Sequence, residues 1–222
     1  FQDAAHELKT PLTVIDATTT AILDGVYQHD DRHLQTIRSQ AQLLSRIVDD
    51  LRTVSLAEAG QLPLEPVELD AAKLVQEVAD SFDSAAELAD VELTAELTDE
   101  PLWVRADRQR LGQMLGALMD NAIRHTPAGG HVTLQARSVG SSVELVVRDD
   151  GPGIPPDDLP NVFERFYRVD PSTAHSAGTS GLGLSIVRAL AVMQGGTVSA
   201  TNVEPHGARF VLLLPAAPGA VD

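Results

Sequence analysis

Cysteine is absent from this 222-residue chain, so neither a disulfide framework nor a thiolate metal site is open to it, and a reducing compartment such as the cytoplasm is expected. No apolar run approaches the roughly 18 residues that span a bilayer, and no secretory signal opens the chain. The expectation is a soluble piece. Positive charge is scarce too: 16 Lys and Arg stand against 32 Asp and Glu, a formal net charge of -16 at pH 7. Such a surface repels a polyphosphate backbone and argues against general nucleic-acid binding. What is present is enough apolar material, 43% of the residues, to build one or two domains with a proper core.

A helical pattern is already running at Phe1 with no capping residue before it, so the chain reads as part of a longer protein. Ala5, Leu8, Leu12, Ile15, Thr19, Ile22 and Val26 are spaced alternately three and four, the seam of a helix that packs along a partner. Leu34, Ile37, Ala41, Leu44, Val48 and Leu51 repeat the spacing, and polar residues from Tyr27 to Arg32 suit the turn of a helical hairpin between them. Two helices bury too little alone, so a homodimer forming a four-helix bundle is expected. On this heptad His6, Glu7 and Thr10 fall off the apolar seam, with His6 and Thr10 on one exposed face. Pro11 removes a helical amide just beyond them and is expected to bend or loosen the helix.

Gly60, Pro63 and Pro66 mark a linker over residues 60–66, dividing a hairpin at 1–59 from a second domain at 67–218. There the periodicity predicts a helix at 71–88, strands at 91–97 and 102–104, and a helix from about Arg108 to His125. Strands at 131–137 and 142–148 follow, then a long loop at 149–180, a helix at 181–194, and strands at 197–202 and 208–214. Because helices and strands do not alternate strictly, an α+β sandwich with helices on one face of a mixed sheet is expected rather than a doubly wound fold. A structureless stretch near thirty residues usually marks a lid or binding loop, here at about 150–180.

The residues that could carry chemistry are few. Neutral imidazole is a good nitrogen nucleophile near pH 7, and Glu7 beside His6 can accept its proton or orient the ring. Asn121, near the end of an amphipathic helix, offers an amide oxygen that suits Mg²⁺, a hard ion that shares its ligands with phosphates and water; the same residue also suits ordinary capping. Asp149-Asp150-Gly151-Pro152-Gly153-Ile154 follows a strand, where a carboxylate can accept from an exocyclic amine such as that of adenine and glycines permit close approach. Gly178-Thr179-Ser180-Gly181-Leu182-Gly183-Leu184 runs into a helix whose first amides can cradle phosphate. Between the two, Phe163-Glu164-Arg165-Phe166-Tyr167-Arg168 offers aromatics to anchor a lid and Arg165 or Arg168 to meet phosphate charge.

Taken in order, these strings resemble the sensor histidine kinases of bacterial two-component systems over essentially the whole chain. His6-Glu7-Leu8-Lys9-Thr10-Pro11-Leu12-Thr13 resembles the family's phosphoacceptor box, the segment around Asn121 its asparagine box, 149–153 and 181–184 its two glycine boxes, and 163–168 its phenylalanine box. The resemblance implies a dimerising phosphotransfer hairpin followed by the ATP-binding sandwich shared with gyrase, Hsp90 and MutL. It implies autophosphorylation of His6 with Glu7 as acid/base partner, and transfer to an aspartate of a response-regulator receiver domain. Thr10 would orient water for dephosphorylating that regulator; a phosphatase-dominant protein using ATP as a conformational effector is the alternative. The implied cofactors are ATP and Mg²⁺, held by Asn121 (also the metal ligand), Arg124, His125, Asp149, Gly151, Gly153, Ile154, Tyr167, Arg168, Gly181, Leu182, Gly183 and Leu184. The implied location is the cytoplasmic region of an inner-membrane sensor, joined to the membrane only by segments outside this sequence. Ala117 stands four residues before Asn121, where many of these kinases carry another Asn, and Thr179 stands where the second glycine box often has glycine.

Overall fold

The computed structural model describes residues 2–28, 30–98, 100–169 and 181–218. Helix α1 (Gln2–Leu23) and helix α2 (Asp31–Glu58) form the N-terminal hairpin. α1 runs unbroken through Pro11, which is buried. It ends earlier than the apolar spacing suggests, because Gly25 adopts a left-handed φ of 71° and the Val26 amide reaches back to the Ala21 carbonyl. That helix-stop geometry favours glycine, and it leaves Val26 in the turn with 73% exposure. α2 starts on Asp30, whose carboxylate accepts from the His33 amide at 3.0 Å, a cap worth about 1 kcal/mol.

The two apolar stripes divide by heptad position. Leu8, Ile15 and Ile22 of α1, like Ile37, Leu44 and Leu51 of α2, are half-buried. Among the alternate members, Ala5, Leu12, Thr19, Leu34, Ala41 and Val48 are exposed. The inward places one residue earlier are filled instead by Pro11 and Thr18 of α1 and by Ile47 of α2, all buried, so the expected stripes are corrected at every other position, and Leu12, Leu34, Ala41 and Val48 stay exposed among the described residues.

Strand β1 (Val67–Asp70), helix α3 (Ala71–Leu88), strands β2 (Glu92–Glu96) and β3 (Trp103–Ala106) and helix α4 (Arg108–His125) open the second unit. Strands β4 (His131–Val139) and β5 (Ser142–Asp149), helix α5 (Gly183–Met193), and strands β6 (Thr197–Asn202) and β7 (Ala208–Pro215) complete it. The main sheet has the order β2-β4-β5-β7-β6, with β2 parallel to β4 and every other pair antiparallel. β1 and β3 form a separate antiparallel pair. Helices α3, α4 and α5 pack on the sheet, whose strands alternate in burial: β7 reads buried at Ala208, Phe210, Leu212 and Leu214 and half-buried between. This is the expected α+β sandwich.

α4 is the central helix. Leu111, Met114, Leu115, Leu118, Met119 and Ala122 are all fully buried, a wider apolar face than a surface helix shows, because α3, α5 and β5 all pack on it. Asp107 caps it through the Arg110 amide and also accepts from the Glu65 amide at 2.9 Å, tying the linker to the helix start. Asp70 caps α3 and holds the Leu102 amide. The hairpin is joined to this unit: α2 packs on α5, Ile47 and Val54 are 1% exposed, and Arg165 Nε donates to Glu58 Oε1 at 3.0 Å. Among the described residues no helix is long and apolar enough to cross a membrane.

Of the long loop, 150–169 is irregular apart from a short 3-10 turn at Leu159–Asn161. Gly178, Thr179 and Ser180, the start of the second glycine string, lie outside the described residues.

Candidate functional site

The last turns of α4, the end of β5, the loop after it and the start of α5 converge on a cavity of about 760 Å³. α4 supplies Asn121, Arg124 and His125; the following segments supply Asp149, Gly153, Ile154, Tyr167 and Arg168; the entry to α5 supplies Gly181, Gly183 and Leu184. Eleven residues expected from the sequence at a nucleotide are thus brought onto one surface. The floor adds Val162, Ile186 and Phe210, apolar groups that suit a flat aromatic base.

Asp149 is the buried charge of this floor, 3% exposed. Its Oδ1 accepts from the Gly151 amide at 2.9 Å and the Ala208 amide at 3.1 Å. Burial pushes its carboxyl above the usual 3.8, and the two amides oppose that shift only in part. Oδ2 makes no hydrogen bond among the described residues, so one oxygen is fixed to the backbone while the other can serve a ligand. His125 sits nearby and is held below its usual 6.5, first by burial and then by the Arg124 charge, against the pull of Asp149 and Asp120. Arg124 pairs with Asp120 at 2.5 Å, one turn apart on α4 beside Asn121. Leu182, at the entry to α5, supplies no side-chain cap, and among the described residues the amides of Gly183 and Leu184 on the cavity are open to a ligand.

Two expected residues do not line the cavity. Gly151 is buried, with its amide on Asp149. Leu182 is fully buried in the core, because an apolar side chain at the helix entry turns inward while its carbonyl accepts from Ser185 and Ile186. Arg165 is likewise absent from the wall: it pairs with Glu58 of α2, leaving Arg168 on the cavity. The aromatics do anchor the loop. Phe163 is 8% exposed and meets Phe210 edge-on at 6.3 Å, and the Tyr167 hydroxyl donates to Asp158 at 2.5 Å.

His6, Glu7 and Thr10 lie elsewhere, on α1. His6 is exposed, Glu7 and Thr10 are half-buried, and the Thr10 hydroxyl donates to the His6 carbonyl at 3.3 Å. Among the described residues none of α1 lines the cavity; from the hairpin only Arg46 and Asp50 of α2 do. Neither carries a sequence signal for that role. Asn202 carries none either, yet it grips the backbone of Ile154 through both ends of its amide, Oδ1 accepting from the nitrogen at 2.8 Å and Nδ2 donating to the oxygen at 2.7 Å.

The two sides of the loop meet at Gly181. Its carbonyl accepts from the Phe166 amide at 2.9 Å, its φ is 66°, and a Cβ there would lie 2.9 Å from Phe166 Cα. Gly181→Ala is expected to cost about 1–2 kcal/mol from backbone conformation alone, with the backbone overlap added. Thermal denaturation should show a midpoint lower by several degrees; an unchanged midpoint would contradict this packing.

Residues 1–60 match the model of the "His Kinase A (phospho-acceptor) domain". Residues 106–218 match that of the "Histidine kinase-, DNA gyrase B-, and HSP90-like ATPase". The sensor histidine kinase WalK of Bacillus subtilis is 31% identical over 219 residues, covering 96% of this chain and 36% of WalK. The chain spans only about half or less of the length of such curated relatives. The solved structure of the Acinetobacter baumannii histidine kinase AdeS is similar at a TM-score of 0.80 and 32% identity, over 95% of this chain and 97% of that one. A histidine kinase ThkA, solved in complex with the response regulator protein TrrA, is similar at a TM-score of 0.75 and 26% identity, over 96% of this chain and 60% of that one. With a phospho-acceptor hairpin leading into an ATPase sandwich, in that order and on this fold, the chain belongs to the sensor histidine kinases of bacterial two-component systems.

Proposed function

We propose that this chain is the phosphotransfer and catalytic region of an ATP-dependent protein-histidine kinase: it phosphorylates His6 and passes the phosphoryl group to an aspartate of a response-regulator receiver domain. The observation that carries the reading is Asp149, with one carboxylate oxygen pinned by two amides and the other without a partner among the described residues, in a cavity that also takes in Gly181, Gly183 and Leu184 at the start of α5. The free oxygen accepts from the adenine amine, and the α5 amides with Arg124 and Arg168 take the phosphates.

The donor set also fits a magnesium-nucleotide. Asn121 places a neutral amide on the wall while Ala117, one turn earlier, has no donor. One protein oxygen with the rest from phosphates and water is a usual Mg²⁺ arrangement. The ion, when bound, neutralises phosphate charge. His6 contributes an exposed imidazole: its nitrogen forms a bond to the terminal phosphorus, the bond to ADP breaks, and Glu7 takes the ring proton. Thr10, one turn further along the same helix, would orient water for the hydrolytic step on the regulator. No feature of the cavity favours the phosphatase-dominant alternative.

The exposed stripe of Leu12, Leu34, Ala41 and Val48 supports a homodimer closing a four-helix bundle. The parent protein is read as an inner-membrane sensor with this region in the cytoplasm. Incubation with labelled ATP and Mg²⁺ should put an acid-labile, alkali-stable label on the chain and then on a cognate receiver domain. A label that survives acid and decays in alkali would refute histidine as the acceptor.

A further inference from the structure

The cavity wall has a contribution from the hairpin. Arg46 and Asp50 are one turn apart on α2 and so share a face, and both border the same space as Asn121 and Arg124. That part of α2 is held against the sandwich: Ile47, next to Arg46, is 1% exposed, and Glu58 at the end of the helix pairs with Arg165.

The cations on the wall differ in their engagement. Arg124 is paired with Asp120, Arg168 has polar interactions of its own, and so does Asp50. Arg46 makes no hydrogen bond or ion pair among the described residues. Arg46 is exposed on α2, and what sets it apart from the other exposed arginines without a carboxylate partner is its place on the cavity wall, where its guanidinium is open to a bound anion. Guanidinium matches phosphate oxygens in geometry and charge.

Resting on the nucleotide reading above, we infer that Arg46 is a positioning residue for the phosphates: it reaches the polyphosphate of a nucleotide in this cavity from the hairpin side, so that the bound nucleotide bridges the two domains. The nucleotide then reports docking, since an ATP molecule feels Arg46 only while α2 lies against the sandwich. The adenosine portion, seated at Asp149 and Phe210, is beyond its influence.

Titration calorimetry of the whole chain with Mg-ATP and with adenosine, for wild type, Arg46→Ala and Arg46→Lys, tests this. Loss of a charge-assisted hydrogen bond should weaken ATP about tenfold or more in Arg46→Ala, leave adenosine affinity unchanged, and be partly restored by lysine. A general loosening of the fold would weaken both ligands together, and so would count against the assignment. An ATP-to-adenosine affinity ratio in Arg46→Ala equal to that of wild type overturns the assignment and leaves the nucleotide reading standing. If the wild type binds neither ligand, the nucleotide reading fails and this inference with it.

Discussion

His6→Gln is expected to abolish incorporation of label from ATP while leaving nucleotide affinity and thermal stability as in the wild type. The imidazole is exposed on α1, so its replacement by another exposed polar side chain removes no packing and stays within the few tenths of a kcal/mol of an ordinary surface change. The Thr10 hydroxyl bonds to the backbone carbonyl of His6 and not to the ring, so helix α1 keeps that contact whatever side chain stands there. Among the described residues the ATP cavity has no wall from α1, and for that reason calorimetry with Mg-ATP should not distinguish the variant. The loss of label should be complete, because glutamine has no nucleophilic nitrogen near neutral pH. Label persisting in His6→Gln at more than background would place the acceptor on another residue; loss of ATP affinity along with it would mean that α1 approaches the nucleotide in a way the cavity wall does not include.

Much of this site is legible in the sequence because it is built from local signals. α4 can be read at both ends: Asp107 is a cap, the apolar period continues through Ala122, and Thr126-Pro127 stops it. The glycine strings flag the loop on either side because glycines at turns and helix entries have conformational consequences that composition alone betrays. What is not legible depends on partners distant in the chain. Asn202 grips Ile154 across 48 positions, and nothing in a lone asparagine at a strand end announces it. The arginine string offers two equal phosphate candidates, and only docking against Glu58 takes Arg165 away. β1 escapes the pattern because its four residues pair with β3 outside the main sheet and two of them are exposed, so no alternation accumulates. Periodicity marks only half of the hairpin seam: Leu8, Ile15, Ile22, Ile37, Leu44 and Leu51 turn inward, but the other inward places are taken by Pro11, Thr18 and Ile47, each one residue before the marked Leu12, Thr19 and Val48, because a polar or proline residue at a seam position, as at Pro11 and Thr18, leaves no apolar signal. That Arg46 and Asp50 border the cavity is a property of the interdomain docking alone.

Asp149→Asn should separate nucleotide binding from stability, moving them in opposite directions. The side chains are nearly isosteric, so the amide oxygen of the variant can take the Oδ1 place and keep the amides of Gly151 and Ala208 satisfied. The NH₂ group then occupies the Oδ2 place and points a donor at the adenine amine, also a donor. A site built around one hydrogen bond and given a mismatched partner loses heavily, and ATP affinity is expected to fall about 100-fold or more. Stability follows from the raised carboxyl pKa. Burial disfavours the ionised form, so in the folded protein the group holds its proton to higher pH than in the unfolded chain, where the value is near 3.8. The fold therefore has its full stability below that value and loses part of it as pH rises through the folded pKa. At pH 7 the wild type carries this penalty and the amide does not. The Asp149→Asn protein should accordingly melt no lower than the wild type at pH 7, with the difference vanishing below about pH 4. Asp149→Ala provides the contrast, since it leaves two buried amides without an acceptor at about 1–3 kcal/mol each and should melt lower at every pH. Parallel thermal melts at pH 4 and pH 7 with calorimetric titration of Mg-ATP decide it. Wild-type affinity in Asp149→Asn would remove adenine from this carboxylate, and a melting point lower than wild type at pH 7 would show that the two amides depend on the charge itself.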